Sequence, residues 1–233
     1  MLRQLDHHLW VAEQPLKFLG LEVGTRMTVV KLSDSSLVLI SPINIDSQLK
    51  QQLDSLGIVK YLIAPNLFHY LYISACQQIY PHAVSISAPG LGNKRPELKI
   101  DQVFTQDRIE FNSELEHTLF SGFQVFIPPK ISVVNEIVFY HLASKTLIIT
   151  DSAFNFDNTF PTITKMAARL FGSYQVLKPS WLEKIAVKDH KQLAKSINKI
   201  LEWDFQRIIM AHGSIIENNA KLQLAEGYRW LIL

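Results

Sequence analysis

Two stretches decide how this chain is read: Thr146–Asp151, Thr-Leu-Ile-Ile-Thr-Asp, and Ile208–Gly213, Ile-Ile-Met-Ala-His-Gly. Each is a short apolar run that ends on a residue able to bind a metal. Uninterrupted runs of this composition are buried strands, and chemistry in layered α/β folds gathers just past strand ends. Lys60–Ala64 is a third run of the same kind, and His69 follows it closely. Three strand ends therefore offer His69, Asp151 and His212.

Outward from these runs, the first third of the chain reads as strands. Leu9–Glu13, Arg26–Leu32 and Leu37–Ile40 are β-prone, and Ser33-Asp34-Ser35 joins the last two as a hairpin turn. Asn44 or Asp46 caps a helix reaching Leu56, with Leu49, Leu53 and Leu56 on one face and Gly57 as its stop. A helix is predicted around Leu71–Tyr80, a strand at Val84–Ser87, and irregular surface chain over 88–100, where Pro89, Gly90, Gly92 and Pro96 fall. Short strands return at Gln102–Thr105, Thr118–Leu119, Phe123–Ile127 and Glu136–Tyr140. The last of these pairs with Thr146–Thr150 across Ala143-Ser144-Lys145. Helices are predicted at Ile163–Leu170, from Asp189 to Trp203, and over Asn218–Leu231, on either side of a strand at Arg207–Met210. Hairpins mixed with α/β crossovers give an α/β protein with two mixed β-sheets and helices outside, a four-layer αββα sandwich in one domain over 1–233.

Composition narrows the function classes. Hydrophobic residues make up 48% of 233 and charged residues 19%, with a net charge of +2. No lysine or arginine run forms a nucleic-acid footprint. Cys76 is the one cysteine, which excludes an internal disulfide and cysteine-rich zinc modules. No stretch of about 18 apolar residues exists, so no membrane span is expected. The start, Met1-Leu-Arg-Gln-Leu-Asp-His-His, lacks a signal-peptide core, and a cytoplasmic setting is the expectation. Neither a phosphate-cradling glycine loop nor a Gly-x-Ser-x-Gly elbow is present.

Several segments together resemble the metallo-β-lactamase superfamily, in a divergent branch with eroded metal motifs. They are Arg26-Met-Thr-Val-Val-Lys-Leu, Ser41-Pro42, Ala64-Pro65-Asn66 followed by His69, Glu136-Ile-Val-Phe-Tyr-His, Thr146-Leu-Ile-Ile-Thr-Asp and Ala211-His-Gly. The resemblance implies the αββα fold and a site for two metals. With the last histidine of the His-x-His-x-Asp-His motif set on His69, the other motif positions fall on Ala64, Asn66 and Phe68. The family's middle histidine falls near Pro128-Pro129-Lys130. One implied metal site is therefore lost. The other keeps three ligands of four: His69, the bridging Asp151 and the final His212.

Two imidazoles and a carboxylate suit zinc or iron(II), with positions left open. The resemblance thus implies a mononuclear metal-dependent hydrolase of an ester, amide or phosphoester, with Asp151 at its centre. An alternative is an inactive relative that binds a small-molecule ligand or acts as a scaffold and holds no ion. Redox chemistry on a non-haem iron is a third. Glu136 is a candidate acid/base or replacement ligand, although a glutamate at a strand start is usually exposed. Asn66 is a candidate substrate-binding residue, or simply a turn residue after Pro65. His141 is expected to face solvent beyond its hairpin, and Cys76 to lie inert in the core. Oligomeric state and substrate are not legible.

Overall fold

The computed structural model describes residues 1–104, 111–127 and 129–231. The first part of the chain forms β1 (Leu2–Asp6), β2 (Leu9–Gln14), a small ribbon of β3 (Lys17–Phe18) and β4 (Leu21–Glu22), β5 (Thr25–Lys31), β6 (Ser36–Ile40), α1 (Ser47–Leu56), β7 (Ile58–Ala64), α2 (Ile73–Ile79), β8 (Val84–Ser87), the single turn α3 (Leu91–Lys94) and β9 (Gln102–Val103). The second part forms β10 (Leu115–Phe120), β11 (Gln124–Ile127), β12 (Lys130–Val133), β13 (Glu136–His141), β14 (Thr146–Ile148), α4 (Thr162–Phe171), α5 (Trp181–Ala186), α6 (His190–Leu201), β15 (Arg207–Ile209) and α7 (Ala220–Gly227).

Both large sheets are mixed. The first runs β1-β2-β5-β6-β7-β8-β9, with β6, β7, β8 and β9 parallel to one another. The second runs β10-β13-β14-β15, with β14 and β15 parallel. Three apolar clusters separate four layers. Val30, Val38, Ile40 and Ile63 of the first sheet meet Ile137, Phe139, Ile148 and Ile209 of the second between the sheets. Val29, Leu37, Leu39 and Leu62 point the other way, onto Leu49 and Leu53 of α1 and Cys76 of α2. Val138, Tyr140 and Leu147 of the second sheet meet Leu193, Ile197 and Ile200 of α6 and Leu224 of α7. This is the expected αββα sandwich. The central strand β6 reads as an apolar run, Leu37–Ile40, because both of its faces are covered, and β5 is buried along all but its last residue. Each fully buried aliphatic side chain there contributes roughly 1.5–3 kcal/mol.

Local signals place the elements well. Asp46 caps α1 by accepting from the Leu49 N–H at 2.7 Å, and Asp189 caps α6 by accepting from the Gln192 N–H at 2.8 Å. Gly57 ends α1 where a Cβ would lie 2.1 Å from the Ser35 carbonyl oxygen, so a side chain has no room. Some elements were not legible. The edge strand β1 and the hairpin partner β12 carry weak alternation and gain their order from pairing with β2 and β11. The 88–100 segment is not wholly irregular, because Leu91 is buried and anchors α3. The last predicted helix breaks after Gly227 into a 3-10 turn at Arg229–Leu231. His141 is buried rather than solvent-facing: β13 lies between β10 and β14, and the following turn folds back so that Ser144 Oγ sits 2.7 Å from His141 Nδ1. Thr105, the predicted end of one strand, and Pro128 lie outside the described residues.

Candidate metal centre

The C-terminal ends of β6, β7, β14 and β15 meet at one rim of the sandwich. Ser41 follows β6, Asn66 and His69 follow β7, Asp151 follows β14, and His212 follows β15. Backbone hydrogen bonds join the two sheets at this rim. The Ile137 N–H donates to the Pro65 carbonyl at 2.7 Å, and the Leu67 N–H donates to that of Val134 at 3.1 Å.

The three predicted ligands converge. One donor atom each from His69, Asp151 and His212 lies within 4.8 Å of the others, the one such group of three among the described residues. Asp151 Oδ1 is 3.4 Å from His69 Nε2 and 3.6 Å from His212 Nε2. A tetrahedral ion with bonds of about 2.1 Å holds its donors roughly 3.4 Å apart, so these spacings fit a single small ion. The side chains are 8%, 14% and 13% exposed respectively, which leaves the site reachable from solvent.

The far sides of the ligands are fixed as well. His212 Nδ1–H donates to the Gly24 carbonyl at 2.6 Å, and His69 Nδ1 shares a hydrogen bond with Ser41 Oγ at 2.7 Å. Each imidazole therefore presents Nε2 to the centre, as metal-binding histidines do. Asn66, fully buried, orders two ligands at once. Its Oδ1 accepts from the Phe68 and His69 N–H groups at 2.7 and 2.9 Å, while its Nδ2 donates to Asp151 Oδ2 at 2.7 Å and Thr150 Oγ1 at 2.9 Å.

Glu136 is not the exposed strand-start residue expected; it is wholly buried. The antiparallel register of β13 and β14 pairs Phe139 with Ile148, and continuing it brings Glu136 opposite Asp151. The Glu136 carboxylate accepts from the Thr150 and Asp151 N–H groups, both at 2.7 Å, and from Ser152 Oγ–H at 3.0 Å. It holds the backbone that carries Asp151.

Charge follows from this packing. Burial raises the Glu136 pKa above the ordinary carboxylate range, and the Asp151 charge adds to it. Burial also opposes ionisation of Asp151, but the neighbouring His69, with His212 and Asn66, outweighs it and holds the carboxyl at about 2. Burial pushes the His212 imidazole down to about 4, so its neutral, ligating form prevails at neutral pH. Burial likewise opposes protonation of His69, yet the Asp151 carboxylate prevails and raises its pKa. Cys76, pushed up to about 12 by burial, is inert, as expected.

The family described as "Domain of unknown function (DUF4336)" matches residues 6–179. This chain belongs to that family. The matched span includes Asn66, His69, Glu136 and Asp151 and stops before His212. No curated protein matches the DUF4336 chain in sequence. Solved structures do match its fold over nearly the whole length. A metallo-beta-lactamase from Pontibacter korlensis is 13% identical with a TM-score of 0.67, covering 100% of this chain and 98% of its own. The DIM-1 metallo-beta-lactamase is 9% identical with a TM-score of 0.65, covering 99% and 94%. One from Erythrobacter litoralis is 12% identical with a TM-score of 0.66, covering 98% and 96%. The DUF4336 chain therefore has the metallo-β-lactamase fold.

Of the unfilled motif positions, Ala64 and Asn66 belong to the lost site and Phe68 to the fourth ligand of the retained one, and no group of donors forms at them among the described residues. Ala64 is buried, Asn66 is engaged as above, and the Phe68 ring packs against the core beneath the second sheet. Two supporting residues were missed by sequence reasoning. Ser41 lies in the Ser41-Pro42 segment, but nothing in the sequence links it to His69. Arg26 is a cation inside an apolar strand, and that contrast is a readable signal. It donates from Nη1 to the Met210 carbonyl and from Nη2 to the Gly213 carbonyl at 2.9 Å, bracketing His212. Gly213 has φ +98°, and a Cβ there would lie 2.4 Å from the Asn155 carbonyl oxygen, so only glycine fits the turn that aims His212. A groove of about 350 Å³ lies behind this turn, lined in part by Arg26, Asp157, Phe160 and Gly213. It flanks the three ligands rather than containing them.

Proposed function

We propose that this DUF4336 chain is a mononuclear metal-dependent hydrolase with its ion held by His69, Asp151 and His212. The observation that carries this reading is the convergence of three donors within 4.8 Å of one another, with both histidine Nδ1 atoms already partnered. An ion of the zinc or iron(II) class would supply Lewis acidity and water activation near neutral pH. The protein's own residues do the rest. Ser41 and Gly24 orient the imidazoles, Asn66 fixes one Asp151 oxygen, and Glu136 anchors the Asp151 backbone. The groove beside His212 has the size of a small-molecule pocket, and Arg26 and Asp157 offer it polar contacts. Esters, amides and phosphoesters are the substrate classes to screen.

Metal analysis of protein purified after growth with zinc and iron tests this. About one ion per chain is expected, and less than ~0.1 overturns it.

A second reading, an inactive relative that binds or scaffolds, is favoured by the apolar Phe68 where the superfamily's metal-binding pattern has a carboxylate. A further support is that Asp151 and His69 lie close enough to pair directly, at 3.4 Å. Metal-dependent hydrolysis that Asp151→Ala abolishes without unfolding would eliminate this reading.

A further inference from the structure

Helix α4 is built inside out. Its inward residues are Thr164 and Ala168, and Thr164 Oγ1 donates to the Glu22 carbonyl at 3.0 Å. Its large apolar residues face solvent: Ile163 is 70% exposed, Met166 62% and Leu170 70%. A surface helix ordinarily presents the reverse arrangement. The apolar stripe continues onto α5. Trp181 Nε1 donates to the Leu170 carbonyl at 3.0 Å, and Ile185, one turn further along α5, is 73% exposed.

Charge accompanies this stripe. Residues 162–188 hold Lys165, Arg169, Lys178, Lys184 and Lys188 against one acid, Glu183. None of the five cations forms an ion pair with a described residue. Glu183 does not offset them at the surface, because its Oε2 is buried. The chain as a whole carries only +2, so the imbalance is local. Arg169 lies over the Tyr174 ring and Lys184 over that of Trp230, so these cations keep their charge unneutralised, and beside exposed aliphatic and indole groups they complement a surface that is negative at its face and apolar just below it. Nucleic acid meets the charge but leaves the aliphatic stripe in water.

We infer that α4 and α5 form a docking surface for an anionic lipid membrane. At ten residues α4 lies along such a surface, and no helix among the described residues is long and apolar enough to cross a membrane. This inference stands on residues outside the metal centre and does not depend on the proposed activity.

Flotation of the full chain with vesicles tests it, using phosphatidylcholine alone and phosphatidylcholine mixed with phosphatidylglycerol. The chain is expected to float with the mixed vesicles at low salt, to be released at high salt, and to ignore the neutral ones. Lys165→Gln with Lys188→Gln is expected to weaken binding about twenty-five-fold, at about fivefold per charge. Leu170→Glu is expected to abolish binding with unchanged circular dichroism and melting temperature, since that side chain packs on little. Three outcomes overturn the inference: no flotation above the lipid-free control, equal flotation with both vesicles, or a self-association in solution that Leu170→Glu removes, which assigns the stripe to a second copy of the chain.

Discussion

The two halves of the strand-end rim have been treated in opposite ways. Around His69, Asp151 and His212, each ligand is held from behind: by Ser41, by Asn66 and Glu136, and by Gly24. A step away, the remaining motif positions have joined the fold. Ala64 closes a buried strand, and the half-buried Phe68 packs against the apolar cluster beside it. The difference teaches that polar residues persist at this rim where hydrogen bonds support them. Beside them the rim is apolar, with Ala64 buried and Phe68 packed on the neighbouring cluster. Buried polar groups persist only when partnered, and a partly partnered cluster is worse than an apolar one.

Removing a ligand is the hardest test of that contrast. Asp151→Ala should reduce metal affinity more than 100-fold, beyond the range of outer-shell losses, as read by competition with a chromogenic chelator. Retained affinity would place the ion elsewhere. Glu136→Gln comes next. Its amide cannot accept from both backbone N–H groups, so a loss of about 2–3 kcal/mol in urea unfolding is expected, because one buried N–H stays unpaired. A loss below ~0.5 kcal/mol would show that Glu136 does not hold the Asp151 backbone. Ser41→Ala should leave the fold stable and cost about tenfold in metal affinity by freeing the His69 ring. An unchanged affinity would make the Ser41–His69 contact incidental. The smallest effect tests the dismantled half. Phe68→Asp puts a carboxylate at the position of the retained site's fourth ligand and should cost about 1–2 kcal/mol of packing while leaving one ion per chain. Two ions per chain would mean that the lost site is still largely formed.

The fold was legible because burial on both sides of a strand imposes composition. Arg26–Leu32, Leu37–Ile40, Lys60–Ala64 and Thr146–Asp151 are apolar for that reason, and the helix caps Asp46 and Asp189 announce themselves locally. The edge strand β1 and the hairpin strand β12 were not legible, since pairing with a neighbour rather than a hydrophobic pattern gives them order. In the site, residue types and strand-end positions singled out the three candidate ligands. The burial of Glu136 was misread because its reason lies in the register between β13 and β14, which no single strand reveals.

By itself, the sequence determined the layered architecture, the apolar central strands and which residues were chemically able to ligate, because side-chain type and periodicity are properties of the chain. Tertiary structure alone decided that Asp151 Oδ1 stands 3.4 and 3.6 Å from two imidazoles, that Arg26 brackets His212, and that α4 turns its apolar face outward. Distances between strand ends and the direction a helix faces come from how the two sheets pack and pair. Those are relations between segments far apart in the chain, and no local run of residues encodes them.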